Sequence, residues 1–148
     1  MSKSSMFGKI LFTAAFVILT ALFSWEAFGA DMSIIEVRRN IPLADDAPVY
    51  KDFYLNTGSE AGLKKNMVVT IVRKTNIRDA TGTQSFGEME VPVGQLRIIA
   101  VQGKAAIARE YKLISRDEEP MIEQIGMMIG DVVSLEGSFI DNKKASAR

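Results

Sequence analysis

Apolar and polar residues alternate along most of this chain in short runs, and nowhere after residue 30 do apolar positions recur every three or four residues over a long stretch. The clearest run is 67–74, MVVTIVRK, in which five of the eight residues are β-branched, the side chains that pack best on a pleated surface. Comparable runs predict strands over 33–41 (SIIEVRRNI), 50–56 (YKDFYLN), 93–101 (VGQLRIIAV), 105–114 (AAIAREYKLI) and 131–136 (DVVSLE). The punctuation between them is strong. Pro42 and Pro48 flank Asp45-Asp46 in a loop over 42–49. Thr57-Gly58 ends the second strand, and Ser59 to Ala61 can form one helical turn. Asn76 to Glu88, with Asp79-Ala80-Thr81-Gly82-Thr83 at its centre, reads as a polar turn that closes a long hairpin. Gln102-Gly103-Lys104 is a short turn, 115–120 (SRDEEP) is a polar loop, 121–130 has room for a brief helical turn, and 141–148 is a frayed, disordered tail. The pattern predicts an all-β fold, a small barrel or sandwich of about six short strands. Its domain spans 50–140, behind an N-terminal strand and linker over 30–49.

One segment breaks the pattern. Ile10 to Leu22 is uncharged and apolar for thirteen residues, preceded by Lys3 and Lys9. As a helix it is about 20 Å long, short of the roughly 30 Å hydrocarbon core of a bilayer. It therefore reads as the helical core of a signal peptide, residues 1–29. Ala27 and Gly29 place small residues at the −3 and −1 positions, which predicts cleavage after Gly29. The alternative is an uncleaved inner-membrane anchor over residues 10–25. Trp25 is the only tryptophan of the chain, so a cleaved protein carries no Trp fluorescence.

An internal echo links two distant corners. Residues 62–71, GLKKNMVVTI, align without gaps on 126–135, GMMIGDVVSL. Glycine matches glycine, Leu63 matches Met127, Asn66 matches Gly130, and Val68-Val69 matches Val132-Val133. Each copy offers a bend, an apolar residue for the core, a residue that tolerates a left-handed backbone, and then a strand. Two corners of one barrel built alike are the expectation.

Composition narrows the chemistry. Losing residues 1–29 leaves 119 residues, enough for one domain with its own core. It removes Lys3, Lys9 and Glu26 from balanced totals of 18 basic and 18 acidic residues, so the net charge becomes about −1. That argues against nucleic-acid binding. With no cysteine, the fold does not depend on disulfides, and with no histidine, Ser-His-Asp and Cys-His mechanisms are excluded. Glu88 and Glu90, two apart on a strand, could form a carboxylate pair. Asp117-Glu118-Glu119 and Asp45-Asp46 read as solvated loop charge. Lys64, Lys65, Arg73, Lys74 and Arg78 cluster around one corner and the hairpin, where lysines often keep a sheet edge from pairing. Met127-Met128 is read as core packing. No catalytic, cofactor-binding or metal-ligating residue is assigned.

The order NTGSEAGLKKNMVVTIVRK, TNIRDATGTQSFGEME, VPVGQLRIIAVQGKAAIARE and IGMMIGDVV resembles the C-terminal domain of the flagellar assembly protein T, an H-ring component around the flagellar basal body. The likeness covers roughly residues 50–136 and implies a β-domain and a place in an envelope assembly. Asn66 stands where that pattern has glycine, and the extra N-terminal domains of such proteins have no counterpart here. The expected function is that of a non-enzymatic structural or interaction module, periplasmic or associated with the outer membrane. Its partner would be an envelope protein assembly or a second copy. It would act through a β edge or the 76–90 hairpin. The alternative is a periplasmic binding protein for a cell-wall polymer or small ligand.

Overall fold

The computed structural model describes residues 31–142. The signal peptide expected over 1–29 and the tail beyond residue 142 lie outside the described residues. Six strands form a single antiparallel sheet: β1 (Ile34–Arg39), β2 (Lys51–Leu55), β3 (Met67–Arg78), β4 (Ser85–Val101), β5 (Ala106–Leu113) and β6 (Val132–Ile140), in the order β1-β2-β5-β4-β3-β6. All six predicted strands are present. A 3-10 turn, Ser59–Ala61, stands where one helical turn was expected. No helix forms over 121–130, where Gly126 and Gly130 interrupt an irregular loop.

The sheet is curved around a core of Phe53, Leu55, Leu63, Val69, Ile71, Val91, Val93, Leu96, Ile98, Met127 and Val133. Curvature comes from the bulges. Register slips between Ile71 and Val72, between Gln95 and Leu96 on the β4–β5 ladder, and between Val68 and Thr70 on the β3–β6 ladder. Each slip sets unequal numbers of residues opposite each other and bends the strand.

The expected barrel is not closed. The two edge strands meet through one isolated antiparallel bridge, Ser33 to Val132. Val133 N–H donates to Met32 O, Ile34 N–H to Asp131 O, and Gly130 N–H to Ile34 O. The reason for the gap is directional. With Ser33 opposite Val132, β1 runs on beside residues 131 and 130, while β6 runs on past Met32. The two strands diverge from the bridge, so no ladder joins their lengths.

The echoing corners are built as the sequence suggests in three of their features. Leu63 and Met127 are both buried. Asn66 has φ 64° and Gly130 φ 92°, so the matched fifth positions share the left-handed conformation. The strands that follow are neighbours, with Thr70 directly opposite Ser134 and Ile71 opposite Val133. The first glycines differ, since Gly62 has φ 91° and Gly126 has no positive φ.

One close approach demands glycine for another reason. Gly58 has an ordinary extended φ of −146°, yet a Cβ there would lie 1.9 Å from the carbonyl oxygen of Gln102. Ser59 N–H donates to that same carbonyl at 2.8 Å, which locks the 3-10 turn against the β4–β5 turn.

Candidate functional site

The predicted polar turn Asn76–Glu88 is far shorter than expected. β3 continues to Arg78 and β4 begins at Ser85, so the two strands extend past the core as a two-stranded arm. Residues 74–78 and 85–90 are all exposed. Thr, Asn and Gly residues carry no apolar alternation, so the pattern in the sequence missed the strands. Cross-strand pairing holds them, Thr75 opposite Met89, Asn76 opposite Glu88 and Ile77 opposite Gly87, before a bulge at Phe86 sets Arg78 opposite Ser85.

Pleating sorts the arm's side chains. Thr75, Ile77 and Met89 share the face that continues from buried Val91, while Lys74, Asn76, Glu88 and Glu90 share the other. Ile77, Met89 and Phe86 are solvent-exposed, Phe86 at 64%. The tip is ordered by one carboxylate. Asp79 accepts from Thr81 Oγ1 at 2.5 Å, Thr83 Oγ1 at 3.1 Å and Gln84 N–H at 3.0 Å. These donors, the Thr81 hydroxyl foremost, hold its pKa down at about 2.

At the base of the arm lies a groove of about 680 Å³ between β3 and the 121–128 loop. Arg73, Thr75 and Asn76 line one wall, and Met121, Ile122 and Met128 the other. An ion pair fixes that loop. Arg73 donates from Nε to Asp131 Oδ1 at 2.7 Å and from Nη2 to Oδ2 at 2.8 Å. It also donates to the carbonyls of Gln124 at 2.6 Å and Gly126 at 2.9 Å. Asp131, 1% exposed, accepts in addition from Met128 N–H at 2.9 Å. The hydrogen bond to Asp131 raises the Arg73 pKa above its ordinary value. This fork geometry suits arginine and anchors an otherwise irregular loop. The sequence had placed Arg73 in a surface basic cluster and Asp131 at the head of a strand. A lone acid directly before a β-branched strand was the available signal.

The predicted residues separate. Lys64 and Lys65 precede β3 and Arg78 ends it, so the basic cluster spreads along a twelve-residue strand of roughly 35 Å. Lys74 meets Asp31 at 2.5 Å and Glu88 at 4.0 Å. Glu88 and Glu90 do share a face, exposed on the arm, and neither lines the groove. Asp117-Glu118-Glu119 is an exposed to half-buried loop segment in which Ser115 Oγ donates to Asp117, and Asp45-Asp46 sits in an exposed turn. Among the described residues no group of three or more acidic side chains is placed to hold a metal. Met127 packs in the core, whereas Met128, 38% exposed, belongs to the groove. Among the described residues no helix is long and apolar enough to cross a membrane.

Comparison with protein-family models, curated proteins and solved structures finds no match to this chain.

Proposed function

We propose that this chain is a non-enzymatic interaction module of the bacterial cell envelope, and that the β3–β4 arm with the groove at its base is its docking element. The observation that carries the proposal is the arm itself. A fold that had only to be stable would end β3 and β4 where the core ends. Here both strands run on, held by cross-strand pairing and an ordered tip, and they carry Ile77, Phe86 and Met89 into solvent. Exposed apolar side chains on a preorganised element cost little ordering entropy on binding. The open sheet edges support the arm over the edges as the contact. β6 departs from its ladder between Ser134 and Phe139 and has Gly137 at φ 67°, and β1 is six residues long with a register slip after Ile34. Short, bulged edges resist strand pairing. Export by residues 1–29 and a place in a flagellar or other envelope assembly are the particular form of the proposal, resting on the leader pattern and on the resemblance over residues 50–136.

Deleting residues 78–88 tests the docking role. Thr75 and Met89 are partners, so a two-residue loop remains to close the shortened hairpin. The expected result is an intact fold that loses partner capture in crosslinked cells. Capture at the level of the unaltered chain would overturn the proposal.

A further inference from the structure

The arm divides its charge between its two strands. β3 contributes Arg73, Lys74 and Arg78 and no acid, whereas Ser85–Val91 contributes Glu88 and Glu90 and no base. Each strand also has an open margin. β6 pairs with β3 only as far as Val72, and β5 pairs with β4 only from Gly94 onward. Among the described residues, 74–78 and 85–91 therefore present one unpaired backbone edge each, the kind of edge to which another strand adds. The surroundings of the two margins differ. The β3 margin opens on the groove walled by Met121, Ile122 and Met128. The β4 margin carries Phe86 and Met89, both uncovered.

We propose that the β3 margin and its groove receive the acidic arm strand, Ser85–Val91, of a second copy of this chain. The inference rests on the arm being the docking element and names what docks there. Charge selects the pairing. β3 against β3 would set Lys74 and Arg78 beside their own copies, and β4 against β4 would do the same with Glu88 and Glu90, which like-charge repulsion disfavours. β3 against β4 joins basic to acidic, the combination the arm already uses internally, where Lys74 lies opposite Glu90 and 4.0 Å from Glu88. Arg78 lies opposite Ser85, so its own arm supplies no acid directly across from it. Phe86 and Met89 of the incoming strand bring apolar side chains to a wall of thioethers, which adapt to irregular shapes. Donor and acceptor margins are different surfaces, so the contact is head-to-tail and each added copy leaves one margin of each kind open.

Sedimentation of the purified protein over a wide concentration range tests this. The expected average mass climbs beyond that of a dimer. Arg78→Glu weakens association about tenfold, equivalent to about 1.4 kcal/mol, without removing a cross-strand charge pair within its own arm. Glu88→Arg weakens it similarly, and mixing the two variants restores association. Because Glu88→Arg also disturbs the arm internally, a second measurement uses an acetylated synthetic peptide of residues 85–91. It should compete with self-association, and its backbone N-methylated form should not. A protein that stays monomeric throughout, an Arg78→Glu variant that associates as the parent does, or equal competition by the N-methylated peptide would overturn the inference. None of these outcomes touches the test by deletion of residues 78–88, which stands or fails separately.

Discussion

Replacing Asp131 by alanine should be the most damaging change near the groove, and its size can be worked from the geometry. The carboxylate accepts from two Arg73 nitrogens and from Met128 N–H, while it is 1% exposed and the Arg73 side chain is 12% exposed. Two unit charges about 4 Å apart attract by about 4 kcal/mol at an effective dielectric of 20, against which both lost hydration on folding. Removing one partner strands the other, and measured costs for breaking buried pairs run at about 3–5 kcal/mol. Arg73 keeps the carbonyls of Gln124 and Gly126, so the lower end applies. A loss of about 3 kcal/mol is a large share of the roughly 5–15 kcal/mol that holds a domain together. It should lower Tm by roughly 10–20 °C in a domain of this size. Urea denaturation monitored by circular dichroism gives the free energy. Amide hydrogen exchange should show that residues 124–130 lose protection first. The double variant Arg73→Met/Asp131→Leu, which buries no charge, should recover at least half of the loss. A loss below about 1 kcal/mol for Asp131→Ala, or a double variant no better than that single one, would refute the reasoning.

Three further outcomes follow from the geometry. Gly58→Ala should cost about 3 kcal/mol, read as a fall in Tm, because its Cβ would meet the backbone oxygen of Gln102 and backbone cannot move aside as a side chain can. Asn66→Gly should leave stability within about 0.5 kcal/mol of the parent and Asn66→Val should cost about 1–2 kcal/mol, since only the second places a β-branched residue at φ 64°; chemical denaturation separates them. Asp79 has its pKa held below the ordinary 3.8 at about 2, so the order it gives the arm tip is present above pH 3.8 and is lost as the pH falls through about 2. The protection factor of the Gln84 amide, its exchange rate relative to the intrinsic rate at each pH, should follow that loss, and Asp79→Ala should remove the step near pH 2.

The core strands were legible because a packed sheet favours β-branched residues, which make up five of the seven in the Met67–Arg73 half of β3. The echo was legible because a left-handed backbone admits few residue types, and Asn66 and Gly130 advertise it. The arm was hidden for the same physical reason it is of interest. With both faces in water, residues 74–78 and 85–90 have no apolar period, and Thr, Asn and Gly read as turn residues. Barrel closure was over-read from strand number, since it depends on where the edge strands point after the Ser33–Val132 bridge. The Arg73–Asp131 pair joins residues 58 apart, and no local pattern signals a partner at that range.

Photo-crosslinking in intact cells tests the central claim most directly. A photoreactive amino acid placed at Phe86 on the arm is compared with one at Leu43, which is still more exposed in the loop between β1 and β2. The account predicts a discrete crosslinked product from position 86 and none from position 43. Products of equal yield from both positions, or none from position 86, would contradict it.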